Sequence, residues 1–375
     1  MRVLALNCGS SSIKSVVVET ATGARVFERA RELDTEGHPG ALAALLVELR
    51  DRSLLDGIEA AGHRVVHGGE RFRASVRVDA RVLDEIEAVA PMAPLHNPAN
   101  IQGIRALQQA LPSVPQVAVF DTAFHQTLPP RAYLYAVPYA LYRDHGVRRY
   151  GFHGSSHRFV AREAARRLGR PLDRVRLVSA HLGNGCSATA IRDGVSVDTS
   201  MGLSPLEGLV MGTRSGDVDP GLHEFLAARL GLDLAEVTAL LNRESGLLGL
   251  SELSSDMREL EEARRDGHAG ADRAIESFCY RLARQVASFI VALDRLDALV
   301  FTGGIGEHSA YVRARVLGLL EPLGFEVDPE RNARHGAESG GEISLGGRPV
   351  ALVVPTDEER LIADETAAVV TGTAR

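Results

Sequence analysis

The sequence predicts an α/β protein built from two similar lobes. Apolar strand-like runs alternate with segments of helical periodicity, one strand-turn-strand pattern occurs twice, and 375 residues are enough for two cores. The first copy of the pattern covers Val3 to Val18 and the second covers Leu177 to Gly194. We therefore expect two related lobes that face a shared cleft.

The first copy is a predicted hairpin with a turn rich in glycine and serine. Val3 to Leu6 and Ile13 to Val18 are apolar or β-branched, and the turn between them is a candidate phosphate-binding loop. Lys14 follows the turn and is the single lysine among the 42 Lys and Arg residues. A compact ammonium reaches phosphate oxygens in crowded loops, which favours a phosphate-binding role for Lys14 over the hypothesis that this lysine was kept by chance.

The second copy has a Gly-Asn-Gly turn, and a third glycine-rich segment runs from Gly303 to His308. The third segment follows a strand-like run, Ala298 to Thr302, and precedes a helix-like run, Ser309 to Leu320, so its backbone N–H groups could bind an anion. Taken singly, the Gly-Ser-Ser-Ser and Gly-Asn-Gly turns are more typical of an ordinary structural hairpin turn than of a phosphate-binding loop. Four further segments have helical spacing: Ala41 to Arg50, Ser156 to Leu168, Leu222 to Leu230 and Ala271 to Asp294.

The composition indicates a protein that acts on small molecules. A formal net charge of −7 and a pI near 6.0 argue against a nucleic-acid-binding surface. No apolar run is long enough to span a membrane, and no signal-peptide pattern opens the sequence, so we expect a cytoplasmic protein. Three scattered cysteines, Cys8, Cys186 and Cys279, fit reduced buried residues and exclude a Cys-x-x-Cys metal site.

Several polar residues occur where a ligand site is expected. Arg64 lies inside a short apolar strand, where an anionic partner is plausible, and Arg214 lies on a glycine-flanked turn. Asp121 follows the strand Val117 to Phe120, and a carboxylate at such a strand end is typical of a ligand site, although it is equally typical of a turn cap. Glu358 lies in an acidic turn that suits either Mg²⁺ or a helix N-terminus.

Two common kinds of site are excluded or disfavoured. No Gly-x4-Gly-Lys-Ser/Thr motif is present, which excludes a P-loop nucleoside triphosphatase. His153 and His157 are four residues apart but lack the His-Glu-x-x-His pattern, so polar or phosphate-facing roles are favoured over a metal site.

Nine motifs follow one another in order along nearly the whole sequence: NCGSSSIK (7–14), GHRVVHGGE (62–70), APLHNP (93–98), FDTAFHQT (120–127), YGFHGSSH (150–157), HLGNG (181–185), MGTRSG (211–216), GGIGE (303–307) and PTDEE (355–359). Together they resemble the acetate kinase family, within the acetate and sugar kinase, Hsp70 and actin superfamily.

This resemblance implies two duplicated ribonuclease-H-like lobes of the actin-like ATPase superfamily with the active site in the cleft. The N-terminal, acyl-binding lobe is expected to comprise residues 1–126 and 361–375, and the nucleotide-binding lobe residues 127–360. The implied reaction is reversible, Mg²⁺-dependent, direct in-line transfer of the γ-phosphoryl group of ATP to acetate, which gives acetyl phosphate and ADP. Mg²⁺ is the expected cofactor, with Mn²⁺ as an alternative, and the family implies a homodimer.

The resemblance also implies roles for individual residues. The catalytic positions are Asp121, His153 and Arg214, and the metal positions are Asn7 and Glu358. The substrate-binding positions are Arg64, Val66, Leu95, His96, Phe152 and Pro205. The nucleotide-binding positions are Ser10, Ser12, Lys14, His181, Leu182, Gly183, Asn184, Gly185, Asp256, Met257, Arg258, Gly304, Ile305, Gly306, Glu307 and His308.

The sequence departs from the family pattern in three places: it is shorter between Val18 and Ala60, has His308 where asparagine is usual, and has Cys8 where a small residue is expected. Val66 favours acetate over longer acids, because an apolar pocket distinguishes one methylene by about 1–3 kcal/mol. A propionate or other short-chain carboxylate kinase remains the alternative within the enzyme class. The alternative in a different class is a nucleotide-binding switch without acyl transfer.

Overall fold

A computed structural model describes residues 1–9, 12–33, 37–94, 96–347 and 349–373. The chain forms two compact units. Unit 1 comprises Met1–Gln126, Phe152–Phe159 and Asp357–Arg375, and unit 2 comprises Thr127–Gly151 and Val160–Thr356. Compared with the domains expected from the sequence, unit 1 takes up the segment 152–159 and begins its last segment four residues earlier, at Asp357.

Each unit contains one mixed β-sheet. The sheet of unit 1 has the strand order β3-β2-β1-β4-β6-β5, and the sheet of unit 2 has the order β11-β10-β7-β8-β9. The strands are β1 Arg2–Cys8, β2 Ser12–Glu19, β3 Ala24–Glu32, β4 Ala60–Val65, β5 Val76–Arg77, β6 Gln116–Phe120, β7 Arg176–Leu182, β8 Cys186–Arg192, β9 Val195–Thr199, β10 Ala298–Thr302 and β11 Val350–Val353.

The two sheets repeat one topology. In unit 1 an antiparallel meander, β1-β2-β3, continues through β1 into the parallel strands β4 and β6. In unit 2 the meander β7-β8-β9 continues through β7 into the parallel strands β10 and β11. The predicted duplication of the two hairpins is confirmed, because the hairpin pairs Cys8 with Ile13 in one sheet and Leu182 with Cys186 in the other.

Helices flank these strands. In unit 1 they are α1 Gly37–Asp51, α2 Ala80–Val89, α3 Asn97–Ala110 and α16 Glu358–Thr371, and α6 Gly154–Arg167 begins in this unit. In unit 2 they are α4 Pro130–Tyr133, α5 Tyr139–His145, α7 Leu222–Leu230, α8 Leu234–Arg243, α9 Gly246–Ser251, α10 Met257–Arg265, α11 Ala269–Ser288, α12 Ile290–Leu293, α13 Gly303–His308, α14 Ala310–Leu319 and α15 Pro329–Ala333. Short 3-10 helices cover Leu55–Gly57, Ala90–Met92, Ala123–Thr127, Leu172–Arg174 and Glu321–Leu323.

The sheet of unit 1 is covered on both faces, which explains its nearly continuous apolar strands. One core cluster joins Leu4, Leu6 and Val17 to α1 and α3 through residues such as Leu45 and Leu107. On the other face α16 packs on β1 and β6 through its residue Ile362. Burial on both faces requires apolar side chains at successive positions, as observed in β6.

Of the helices in the described part of the chain, none combines the length and apolar character needed to cross a membrane.

Candidate active site

Arg64 and Asp121 form an ion pair in unit 1, where neighbouring parallel strands end. Arg64 is the fifth residue of β4, and Asp121 follows β6 directly. Two nitrogen atoms of Arg64 bind the carboxylate: Nη2 lies 2.6 Å from Oδ2, and Nε lies 3.1 Å from both oxygens. Asp121 is 1% exposed, so nearly all of its interaction is with the protein. The carboxyl ends of parallel strands are where open α/β sheets bind ligands.

Asn7 and Glu358 complete a cluster around this guanidinium. Nη1 of Arg64 donates to Oδ1 of Asn7 at 3.2 Å, and Nε lies 3.9 Å from Oε2 of Glu358. Burial raises the pKa of Glu358, Arg64 opposes this shift, and the charge of Asp121 adds to it. Burial also opposes the charge of Arg64, but Asp121 and Glu358 outweigh it and raise the pKa of Arg64. The cluster therefore holds more negative charge than Arg64 alone neutralises, so an added cation would be stabilised there.

Asn7 and Glu358 are chemically suited to Mg²⁺. In the described part of the chain, no three His, Cys, Asp or Glu side chains are grouped as ligands for a metal ion. Mg²⁺ does not need such a group, because it keeps several waters and takes one or two carboxylates together with substrate phosphates. An amide oxygen and a carboxylate beside the same guanidinium are hard oxygen ligands of this type.

Lys14 is held by a carboxylate that the sequence did not single out as its partner. It lies opposite Asn7 in the β1-β2 pair, and its Nζ is 2.7 Å from Oε1 of Glu359. Glu359 is buried, and Arg25 Nη2 approaches its other oxygen at 3.5 Å. Lys14 is 42% exposed, so its ammonium still reaches solvent beside the hairpin turn.

The hairpin turn itself is only partly described. Ser10 lies outside the described residues, and Ser12 begins β2 and accepts the N–H of Gly9 through its backbone carbonyl at 2.8 Å.

His153 is held beside Asp121 by its backbone. The N–H of Gly154 donates to the carbonyl of Asp121 at 3.0 Å, and a Cβ atom at Gly154 would collide with that carbonyl. His153 has a φ of 55°, a left-handed conformation that is uncommon outside glycine. Such a conformation persists only where its surroundings fix it, which is frequent at functional sites. Phe152 is buried, and its ring makes an edge contact with His67 at 5.7 Å between centroids.

The strand-end segment after β4 is fixed by asparagines of α3. Val66 donates its N–H to Oδ1 of Asn100 at 3.1 Å, and His67 donates its N–H to Oδ1 of Asn97 at the same distance. Val66 is 7% exposed. His96 directly precedes α3, and Leu95 lies outside the described residues. The two asparagines were not identified from the sequence, because only the fold brings α3 next to this segment.

Arg214, in unit 2, is a partly buried cation that has no carboxylate partner among the described residues. Its Nη1 donates to the carbonyl of Pro205 at 3.0 Å. Burial lowers its pKa, since no ion pair compensates for lost hydration. The surrounding turn is tied to neighbouring elements: Met211 donates its N–H to the Arg214 carbonyl, and Gly212 donates to the Asn184 carbonyl. A partly buried guanidinium without a carboxylate partner is suited to bind an anionic ligand.

Unit 2 also contains a cavity of about 560 Å³ that joins three of the predicted nucleotide segments. This size is typical of a small-molecule site. Its lining residues are Gly183, Asn184, Ser255, Asp256, Met257, Arg258, Glu261, Gly304, Ile305, His308 and Ser309. Ser255, Glu261 and Ser309 were not among the predicted positions. Five predicted positions of these three segments do not line it: His181, Leu182, Gly185, Gly306 and Glu307. Two further predicted positions, Ser12 and Lys14 of unit 1, do not line it either.

Glu307 faces the protein rather than the cavity. The predicted glycine loop is a short helix, α13, and Oε1 of Glu307 accepts the N–H groups of Gly303 at 2.9 Å and Thr356 at 3.1 Å. The Gly303 N–H that could have bound an anion therefore has an internal acceptor. Arg313 is fully buried and donates at 2.9 Å to the carbonyls of Gly306 and Glu307, which fixes the other end of α13.

Comparisons with known proteins identify the family of the chain. The family model described as "Acetokinase family" matches residues 24–364. The chain is 54% identical to an acetate kinase of Deinococcus radiodurans, with 99% of each protein covered, and 52% identical to one of Shewanella amazonensis, with 97% of each covered.

Two solved structures are similar over nearly their whole length. A propionate kinase from Francisella tularensis has a TM-score of 0.93 at 42% identity and covers 98% of this chain and 99% of its own. An acetate kinase from Porphyromonas gingivalis has a TM-score of 0.91 at 41% identity with the same coverage. The extent of the family match and the identity to these relatives lead to one conclusion: the chain belongs to the acetokinase family.

Proposed function

We propose that the protein is an acetate kinase, which transfers the γ-phosphoryl group of ATP reversibly to acetate and forms acetyl phosphate and ADP. The observation that carries this proposal is the cluster in which Arg64 contacts Asp121, Asn7 and Glu358, in a member of the acetokinase family. Phosphoryl transfer needs positioning and neutralisation of charge more than covalent catalysis by the protein. Such a cluster offers a cation for the acyl carboxylate and carboxylates for a proton or metal.

In this proposal each unit has its own task. In unit 1, Arg64 binds the acyl carboxylate, Asp121 orients Arg64 and the acceptor, and His153 donates a hydrogen bond to developing charge. In unit 2, Arg214 binds the transferred phosphoryl group, and the cavity lined by Gly183 and Gly304 takes the nucleotide. Donors that are fixed before the reaction stabilise developing charge without the cost of reorganising.

Mg²⁺ is the proposed cofactor, held by Asn7 and Glu358, with Mn²⁺ as an alternative. It would neutralise charge on the nucleotide phosphates. The raised pKa of Glu358 supports this assignment, since a nearby divalent cation favours its ionised form. We also propose that the protein works as a cytoplasmic homodimer, as the resemblance to the family implies.

Acetate is proposed as the preferred acyl substrate because Val66 narrows the expected pocket. The alternative is a propionate or short-chain carboxylate kinase, and the similarity to the Francisella propionate kinase favours testing it. A switch without catalysis is the less favoured alternative, since it has no use for the buried Arg64–Asp121 pair together with Arg214.

The test is a hydroxamate assay for acyl phosphate with ATP, Mg²⁺ and equal concentrations of acetate, propionate or butyrate. We expect most product with acetate. More product with propionate would keep the reaction and change the substrate. ATP binding without acyl phosphate from any of the three acids would favour the nucleotide switch. When the carboxylates of the cluster are replaced by amides, Asp84→Asn serves as the control variant, because Asp84 is exposed and lies outside the cluster.

A further inference from the structure

A polar network in unit 2 surrounds the loop 200–208, here called the Pro205 loop. This loop follows β9 and ends shortly before the turn that carries Arg214. The only hydrogen bond from Arg214 to an oxygen of the described residues goes to the Pro205 carbonyl, at 3.0 Å. The direction of the Arg214 guanidinium therefore depends on where the loop holds that carbonyl.

Arg149 forms hydrogen bonds at the start of the Pro205 loop and an ion pair at its end. Its Nη1 donates to the carbonyls of Thr199 and Ser200 at 2.9 Å and of Met201 at 3.3 Å. Its Nη2 forms an ion pair with the carboxylate of Glu207 at the far end. One planar guanidinium thus spans the start and the end of the loop, a geometry that a lysine ammonium cannot reproduce.

Tyr135 adds a second fastening inside the loop. Its hydroxyl donates to Glu207 and accepts the N–H of Leu203 at 2.8 Å. Burial and the charge of Glu207 raise the pKa of Tyr135, so the hydroxyl keeps its proton and remains a donor. Gly202 leaves no room for a side chain, because a Cβ atom there would overlap the Glu207 carboxylate and the Tyr135 hydroxyl.

We propose that Tyr135, Arg149 and Glu207 are positioning residues that fix the Pro205 carbonyl and, through it, the direction of Arg214. None of the three lines the cavity of unit 2 that contains Gly183 and Gly304. We therefore expect the network to affect the turnover step and the acyl substrate much more than nucleotide binding. This inference rests on the proposed function, because it assigns Arg214 to the transferred phosphoryl group.

The test compares Tyr135→Phe with wild type in the hydroxamate assay. A misplacement of about 1 Å in a group that positions the substrate can cost about 100-fold in rate. If Arg214 is displaced by this much or less, we expect kcat to fall by about 10- to 100-fold. The KM for ATP should stay within about twofold of wild type, because the nucleotide cavity is untouched. The ratio of acetate to propionate turnover should also fall, since Pro205 is an expected acyl-pocket residue.

Tyr139→Phe is the matched control, because Tyr139 lies in the same segment and is 60% exposed. It should behave as wild type. Glu207→Gln, which keeps an acceptor for Tyr135 but loses the charge that holds Arg149, should lower kcat in the same direction. Thermal unfolding of each variant shows whether the fold persists.

Three results are decisive. Wild-type kcat in both Tyr135→Phe and Glu207→Gln would overturn the inference. A parallel loss of kcat, ATP affinity and thermal stability would also overturn it, because the network would then be merely structural. Absence of acyl phosphate with the wild-type protein would instead refute the proposed function, before any variant is compared.

Discussion

Replacing Asp121 by asparagine tests the central ion pair most directly. The substitution keeps the size and shape of the side chain and removes its negative charge. Asp121 accepts three contacts from Arg64 at 2.6–3.1 Å and is 1% exposed. After the change, the nearest carboxylate to Arg64 among its described contacts is Glu358, at 3.9 Å.

The size of the effect follows from burial. Removing one partner of a buried ion pair costs about 3–5 kcal/mol, because the remaining charge is left uncompensated. Arg64 is 20% exposed and keeps the Glu358 carboxylate at 3.9 Å, so its charge stays partly balanced and we expect a smaller loss, about 1–3 kcal/mol, which is typical of a buried donor that loses its acceptor. Urea denaturation at pH 7 measures the loss. Asp84→Asn, on the surface, should change the free energy of unfolding by less than about 0.5 kcal/mol.

The same variant tests the catalytic assignment. If Asp121 orients the acceptor, Asp121→Asn should lower kcat by about 100-fold, the loss that a misplacement of about 1 Å can cause. The hydroxamate assay measures this at saturating ATP and acetate. An unchanged free energy of unfolding in Asp121→Asn would refute the expected stabilisation by the ion pair. An unchanged kcat in the folded variant would refute the role of Asp121 in orienting the acceptor.

Three further predictions concern other sites. Burial lowers the pKa of His63 from 6.5 to about 4, so His63 binds a proton more readily in the unfolded chain than in the folded one. The free energy of unfolding should therefore fall by up to about 3 kcal/mol as the pH is lowered from 6.5 to 4. Urea denaturation over this pH range should show a smaller fall in His63→Gln. Arg313→Met removes the donors to the Gly306 and Glu307 carbonyls at the end of α13, and should weaken ATP binding about tenfold in calorimetry. Unchanged affinity would contradict nucleotide binding by the α13 residues that line the cavity. Val66→Ala should raise propionate turnover relative to acetate by about tenfold, and an unchanged ratio would remove Val66 from the acyl pocket.

The sequence was sufficient where local pattern decides the structure. Apolar runs located β1, β2, β7 and β8, and the strand ends correctly placed Asp121 after β6. The helix expected over Ala271 to Asp294 is divided into α11 and α12, a boundary that periodicity alone does not reveal.

Pairings between distant segments could not be predicted from the residues alone. Arg64 and Asp121 are 57 positions apart, and Lys14 meets Glu359 only because α16 packs beside the hairpin of β1 and β2. Such contacts depend on strand order, which a single sequence does not specify.

The inward turn of Glu307 was missed for a related reason. Its carboxylate accepts the Thr356 N–H, and Thr356 lies 49 positions further along the chain. From sequence alone, a glutamate at the end of a glycine-rich segment is equally consistent with binding a ligand and with accepting backbone N–H groups of the protein. Only the folded position of Thr356 distinguishes these two roles.

The solitary lysine has a consequence for chemical durability. An acyl phosphate is a mixed anhydride that acylates unprotonated amines, so an enzyme that releases one is exposed to modification by its own product. Guanidinium groups stay protonated and resist this reaction. Of the 42 Lys and Arg residues only Lys14 is a lysine, so the chain presents a single side-chain amine, and its Nζ lies 2.7 Å from the Glu359 carboxylate. An arginine-rich chain of this kind therefore offers few side-chain amines for acetylation by its own product.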